Sequence, residues 1–383
     1  MKKNRWIWLG LLILSLVAIS FYGGPVSYGF FFFVLAVPAV SGLYVILVYF
    51  RFRVYQKCDS KVVVAETPVT FYYTLQNEDY FTFAGIKTDY YSDYSSLAGL
   101  DPDTEYELFP HTGIQKQTRL ICKYKGEYPV GVKKVTVTDY LRLFRLTFKP
   151  KEIITVTVIP RLVILEGLSV LTELTESGKD SPVNPTEPDL LVREYIPGDD
   201  IRSINWKLTA AVGKPMVRRR IGEETPAVSI IMDSHRPSGE PDLYLPRENK
   251  ILETTIALTY YFLDRGIRVN VYAYAGGPLR FALDTTDAFE DFYNRMSYFS
   301  FAADSTPEKL FSYTATVPDI VKSSAVLFVV HDLYDAYVRQ ASDLEKYSVS
   351  TATCLVTDRA DRSAGRSGII EIGYDTPLKE VLQ

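Results

Sequence analysis

The stretch Arg193–Arg220, REYIPGDDIRSINWKLTAAVGKPMVRRR, decides how the rest of the chain is read. Pro197-Gly198 suits the two central positions of a type II turn, because proline presets φ at the first and glycine accepts positive φ at the second. Asp199 or Asp200 then stands where a helix N-cap belongs, with a carboxylate for the orphan N–H groups at the positive end of the helix dipole. Ile201, Ile204, Leu208 and Ala211 follow at helical spacing and predict one apolar face. Gly213, with Pro215 just beyond, predicts the helix end. From Pro215 to Ile221 the pattern is that of a strand. Val217, Arg219 and Ile221 share one face; Met216, Arg218 and Arg220 share the other. Arg219 therefore needs a carboxylate, and Glu194, Asp199 and Asp200 are the nearby candidates. Arg193, Arg202 and Lys207 add positive charge. Two roles compete for this segment. One is a site for an anion or an acidic partner; the other is an ion-pair cluster that locks helix to sheet, with Trp206 as packing.

Toward the N-terminus the segment Trp6–Phe50 runs for 45 residues without a charge. One membrane-spanning helix needs about 20 apolar residues, so two fit, with Gly23-Gly24-Pro25 as the turn between them. Lys2, Lys3 and Arg5 precede the pair, and Arg51, Arg53 and Lys57 follow it, so both ends are expected on the cytoplasmic side. A cleaved signal peptide ending near Ser20 is the alternative; even then the basic flank Arg51–Lys57 would keep the C-terminal part inside, and the hairpin is the better reading.

Between Lys61 and Val158 apolar and polar residues alternate: Val69, Phe71, Tyr73 and Leu75 against Thr70, Tyr72, Thr74 and Gln76. Several such runs predict an antiparallel sandwich. Residues 80–113 are rich in Tyr, Asp and Ser and resist strand assignment. Residues 174–188 read as an exposed loop. From Thr225 strands and helices alternate. Strands are expected at Ala227–Met232, Ile267–Ala273, Ala325–Val330, Val349–Val356 and Ile369–Gly373, and helices at Glu248–Asp264, Thr286–Tyr298 and Tyr334–Lys346. This predicts a mainly parallel sheet covered on both faces.

Composition narrows function. The 383 residues carry a net charge of −4, and three arginines on one strand are a poor nucleic-acid footprint, so no nucleic acid is expected. The three cysteines, Cys58, Cys122 and Cys354, are too scattered for a zinc site or a disulfide framework. No phosphate-binding loop, nucleophile elbow or zinc-protease signature occurs.

The opening segment closely resembles the signature of domain-of-unknown-function family 58, a group of bacterial membrane proteins. Its pattern, approximately R-E-Y-x-P-G-D-x-x-R-x-I-x-W-K-x-[ST]-A, is matched by Arg193, Glu194, Tyr195, Pro197, Gly198, Asp199, Arg202, Ile204, Trp206, Lys207, Thr209 and Ala210. Weaker echoes lie at Thr67–Asp79 and Tyr124–Phe144. The resemblance implies a membrane hairpin, an Ig-like β-sandwich and a von Willebrand factor A-like α/β domain. It also implies cooperation with a MoxR-type AAA+ ATPase and, beside it, a transglutaminase-like membrane protein.

Von Willebrand factor A domains place a metal-ion-dependent adhesion site, D-x-S-x-S, after the first strand, where hydroxyls and carboxylates suit Mg²⁺. Here the run is Asp233-Ser234-His235-Arg236-Pro237. The aspartate is kept, and both serine positions are lost. Asp233 and Asp332, each after a strand, are the candidate metal ligands of a degenerate site; capping of the following turns is the competing role for both. His235 and His331 lie near the same strand ends, so a His/Asp cluster is conceivable.

The expected architecture is therefore a two-helix transmembrane hairpin (1–57), a β-sandwich domain (58–160), a linker with the signature (161–224) and a von Willebrand factor A-like α/β domain (225–383). The expected function is that of a non-enzymatic, cytoplasm-facing scaffold in the bacterial plasma membrane. Its signature residues would bind a MoxR-type ATPase in the assembly or maturation of envelope or metal-containing complexes. A divalent-metal-dependent binding or hydrolytic protein using Asp233 and Asp332 is the alternative.

Overall fold

The computed structural model describes residues 1–101, 103–168, 191–194, 209, 214, 216–219, 227–347, 349–358 and 368–382, with 191–194 and 216–219 described by their backbone. It divides into two compact units, Met1–Arg161 and Leu162–Gln383.

The first unit opens with two helices, α1 (Lys2–Tyr22) and α2 (Pro25–Arg51), each long and apolar enough to cross a membrane. Gly23 closes α1 at φ 54, in the left-handed region that glycine enters freely. Pro25 starts α2 where a missing N–H costs nothing. At 1.5 Å per residue, α1 is about 31 Å long and α2 about 40 Å. The extra length has a use: Val48 at the end of α2, with Phe52, is buried in the core of the β-rich region that follows. The charge-free run is thus partly a membrane-type segment and partly a core element.

The strands of this unit are β1 (Arg53–Cys58), β2 (Val62–Val64), β3 (Val69–Gln76), β4 (Phe83–Tyr90), β5 (Ser95–Leu97), β6 (Tyr106–Leu108), β7 (Gly113–Cys122), β8 (Gly126–Val130), β9 (Val132–Thr138), β10 (Arg145–Phe148) and β11 (Ile154–Ile159). They form antiparallel sheets in the orders β1-β3-β7-β5 and β10-β9-β4-β6, and a small mixed sheet, β2-β11-β8. The alternation seen in the sequence is the burial pattern: Phe71, Tyr73 and Leu75 point into one core with Phe83, Ile86, Leu120, Val135 and Val137. Two-residue periodicity sends one side of each strand inward. Gly131 holds φ 88, and a Cβ there would collide with Gln56 and the Phe71 ring, so only glycine fits.

The stretch 80–113 resolves into β4, β5 and β6. Its pattern is unreadable locally because its tyrosines are placed by long-range hydroxyl contacts. Tyr90 Oη donates to Tyr73 Oη at 3.0 Å, and the Tyr73 and Tyr106 hydroxyls lie 3.1 Å apart.

In the second unit a two-stranded antiparallel ladder pairs β12 (Leu191–Glu194) with β13 (Met216–Arg219), aligning Arg193 with Val217 and Glu194 with Met216. The main sheet contains β14 (Ala227–Met232), β15 (Arg268–Tyr274), β16 (Pro278–Leu283), β17 (Ala325–Val330), β18 (Ser350–Thr357) and β19 (Ile369–Gly373). Its order is β16-β15-β14-β17-β18-β19, parallel throughout except for the edge strand β16. The helices are α3 (Pro241–Asp264), α4 (Thr286–Ser297), α5 (Pro307–Ala315), α6 (Pro318–Val321), α7 (Asp335–Lys346) and α8 (Leu378–Leu382).

Both faces are covered. Val228, Ile230, Met232, Leu327 and Val329 pack with Ile251, Ile256, Phe292 and Leu378 on one side. Ile231, Val326, Phe328 and Val330 pack with Phe311, Ile320 and Leu344 on the other. Strands buried on both faces read as continuous apolar runs, which is why β14 and β17 are the clearest in the sequence. The antiparallel β16 and the helices α5 and α6 have no counterpart in the sequence reading. Helix α3 begins at Pro241, seven residues before the predicted Glu248; Pro241 takes the first position, where a missing N–H costs nothing, and Pro246 lies inside the second turn. Leu162, Val163, Leu165 and Leu168, at the head of the expected linker, pack in or against the core of this unit.

Candidate functional site

In a doubly wound sheet, ligands bind beyond the carboxyl ends of the strands, where successive crossovers run to opposite sides. Here that point falls between β14 and β17. From β14 the chain crosses to β15 on one side, and from β17 it continues to β18 and β19 on the other. The residues that follow these two strands are Asp233-Ser234-His235 and His331-Asp332.

Asp233 is 1% exposed and extends the ladder, its N–H donating to the Val329 carbonyl at 2.9 Å. One carboxylate oxygen accepts the His235 backbone N–H at 2.9 Å. The other lies 2.7 Å from Nδ1 of His331, whose side chain is 8% exposed. That approach has ion-pair distance without hydrogen-bond alignment. On the far side of the imidazole, Nε2 and the Tyr334 hydroxyl are 2.6 Å apart, with the two rings edge to face. Burial pushes the Tyr334 phenol pKa up, and the charges of Asp233 and Asp332 push it further, so the phenol stays neutral. His235 stacks over His331 with ring centroids 6.4 Å apart. The result is an acid–imidazole–phenol relay at the switch point, in which Asp233 faces one ring nitrogen at ion-pair distance and Tyr334 covers the other.

The surroundings hold this relay still. Ser234 Oγ donates to the Tyr274 carbonyl at 2.5 Å and accepts the Tyr274 N–H at 3.2 Å, tying the end of β14 to the end of β15. Arg236 turns away from Asp233 and forks onto the buried Glu248 of α3 at 2.5 and 2.7 Å, over the Tyr244 ring. The Glu248 hydrogen bonds raise the Arg236 pKa, so the guanidinium stays charged. Further along α3, Lys250 and Glu253 form a buried pair at 3.0 Å, and Lys250 also donates to the Thr376 carbonyl. Arg247 reaches Tyr374 with its Nε at 3.4 Å.

The fit to a hard cation is poor. Ser234 is committed to Tyr274, and His235 and Pro237 occupy the serine positions of the adhesion-site pattern. Asp332 is exposed, and its carboxylate accepts the Leu333 N–H at 2.8 Å. Among the described residues no group of three His, Cys, Asp or Glu side chains could hold a metal ion. Both Asp233 and Asp332 accept backbone N–H groups of the turns that follow them.

Of the signature residues, Arg193 and Glu194 lie on β12, a strand the sequence reading did not anticipate. Tyr195, Pro197, Gly198, Asp199, Arg202, Trp206 and Lys207 lie outside the described residues, as does the predicted helix N-cap. The predicted basic strand is present over Met216–Arg219. Tyr334, Arg247, Glu248 and Lys250 were not anticipated. The signal for the last three was there: charged residues interleaved with the apolar positions of a helix that has to bury most of its surface.

A doubly wound, mainly parallel sheet with a rigid polar relay at its switch point defines an α/β unit of the kind whose strand ends carry the functional residues. Residues 191–376, which begin at the first residue of β12 and run past the end of β19, match the family model described as Protein of unknown function DUF58, and this part of the chain belongs to that family. The match covers the β12–β13 ladder and the whole main sheet and leaves out α1, α2 and the β-rich region. No curated protein matches the chain.

Proposed function

We propose that this protein is a membrane-anchored scaffold whose α/β unit, von Willebrand factor A-like in its strand order, binds a protein partner at the carboxyl ends of β14 and β17. The observation that carries this reading is the relay at the switch point: Asp233 faces His331 rather than a set of converging ligands. The exposed Asp332 and the half-buried His235 and Tyr334 around this buried pair offer directed polar groups on a rigid frame, which suits recognition. The helices α1 and α2, flanked by basic residues, support a plasma-membrane hairpin with both units on the cytoplasmic side. The region β1–β11, with two antiparallel sheets on a common core, supports an Ig-like sandwich acting as spacer. By resemblance of the signature, the partner is a MoxR-type AAA+ ATPase, with a transglutaminase-like membrane protein as a further associate, in the assembly or maturation of envelope or metal-containing complexes. The test is co-purification of the full-length protein with that ATPase under nucleotide-trapping conditions. Wild type is expected to retain it, and Asp233→Ala and His331→Ala to lose it with only a small fall in melting temperature, which stays well above the assay temperature. Equal recovery with wild type and both variants moves the binding site elsewhere.

A metal-dependent binding or hydrolytic role for Asp233 and Asp332 has one observation in its favour, the Asp233 oxygen without an aligned hydrogen bond. Cation binding to the folded state alone would raise the melting temperature. On the scaffold reading, Mg²⁺ and Mn²⁺ leave it unchanged.

A further inference from the structure

The turn between β9 and β10 is held against the two helices by contacts that its own sequence does not explain. Asn4 Nδ2 donates to the Leu141 carbonyl and Arg5 Nε to the Leu143 carbonyl, each at 2.7 Å. From α2, Ser41 Oγ donates to the buried carboxylate of Asp139, and Gly42 leaves room for the Phe144 ring. Asp139 also accepts the Leu141 and Phe144 N–H groups at 3.2 and 2.7 Å, and Arg142 takes φ 54 to let the chain double back. A turn this constrained does not collapse to hide its side chains. Yet Tyr140, Leu141 and Phe144 are 61%, 37% and 40% exposed.

The level of this turn follows from helix length. Helix α1, about 31 Å long, matches the ~30 Å hydrocarbon thickness of a bilayer. Its charged end, Lys2, Lys3 and Arg5, therefore marks one edge of the hydrocarbon. Asn4 and Arg5 pin the turn to that edge. Ser41 and Gly42 meet the same turn from α2, so the later turns of α2 rise beyond the edge, where Tyr44 and Val48 pack on the β core. Aromatic and aliphatic side chains beside cationic ones are what the headgroup boundary favours. The side chain of Arg142 on the same turn is 61% exposed and pairs with Glu105 at 3.3 Å.

We propose that the turn Asp139–Phe144 is a membrane-contact surface, with Tyr140, Leu141 and Phe144 seated in the boundary between headgroups and acyl chains of the bilayer. It would fix the β-rich region against the membrane at a second point, so that α2 does not act as a free tether. The inference rests on α1 and α2 spanning the bilayer.

The full-length protein in nanodiscs of phosphatidylethanolamine and phosphatidylglycerol tests it. Single environment-sensitive labels go on Leu141→Cys, on Ile13→Cys in α1 and on Ser60→Cys beyond the far end of β1, each in a Cys58→Ser background. Quenchers are nitroxides carried at shallow or deep positions of the lipid chains. The Ile13 label is expected to be quenched by the deep nitroxide, and the Leu141 label by the shallow one, several-fold more strongly than the Ser60 label. If Ile13 is quenched and Leu141 behaves like Ser60, the contact surface is wrong and the hairpin stands. If Ile13 is not quenched, the spanning reading fails and this inference goes with it. Shielding of the Leu141 label without lipid quenching, together with label–label proximity between molecules, overturns the proposal in favour of a second copy of the chain.

Discussion

Two buried aspartates sit at turns in the two units, and they differ in how fully they are satisfied. Asp139 accepts two backbone N–H groups and the Ser41 hydroxyl. Asp233 accepts one backbone N–H, and its other oxygen faces an imidazole without hydrogen-bond alignment. A carboxylate saturated by backbone donors is a structural fixture. One whose second oxygen has only an unaligned imidazole beside it, at the strand ends, is the better candidate for chemistry or recognition. The contrast separates the carboxylate that holds the fold together from the one worth testing for function.

The largest effect is expected at Asp139. Asp139→Ala leaves two backbone N–H groups and the Ser41 hydroxyl without their acceptor, and removing the partner of buried donors costs about 3 kcal/mol. Thermal melting of the full-length protein in detergent should show a clear fall, and Asp139→Asn, which keeps one acceptor oxygen, a smaller one. Asp233→Ala removes a single backbone acceptor and the ion-pair partner of His331, with an expected cost of about 1 kcal/mol. If both alanine variants melt equally low, the distinction collapses and Asp233 is structural too.

The thiols sharpen the comparison between the units at lower cost. Burial pushes the Cys354 pKa in β18 from 9.0 up to about 12 and that of Cys122 in β7 up to about 11, whereas the half-buried Cys58 rises less far. Alkylation near neutral pH should therefore reach Cys58 first, and the other two only on unfolding. The linkage has a definite sign. A raised folded-state pKa means that the unfolded chain releases its proton first. The stability contributed by Cys354 is thus intact below about 9 and declines as pH rises toward 12. Fast labelling of native Cys354 would mean that the sheet opens locally. The smallest effect belongs to added Mg²⁺, for which no shift in melting temperature is expected.

Much of the fold was legible in the residues. The charge-free run ending at Phe50, the apolar strands Ala227–Met232 and Ala325–Val330 and the helix through Ile251 and Ile256 all appear where periodicity puts them. Residues 80–113 were not legible, because Tyr73, Tyr90 and Tyr106 satisfy one another across strands. Strand β16 was missed because an edge strand exposed along one side lacks the continuous apolar run of its neighbours. Of the strand-end site, Asp233, His235, His331 and Asp332 were visible as residues that follow strands. That Asp233 turns to His331, that Arg236 leaves for Glu248 and that Tyr334 closes the relay were not.

The sequence by itself determined which segments are apolar enough for a bilayer, which repeat every two residues and which every three to four, and it carried the signature of the family. Those properties reside in neighbouring residues and survive without the fold. Only the tertiary structure decided that the end of α2 serves the β core, that Asn4 and Arg5 hold a turn near Leu141, and that an aspartate after β14 meets a histidine after β17. Each of these is a contact between residues far apart in the chain, set by strand order and burial, and no local pattern encodes which partner a buried polar group will find.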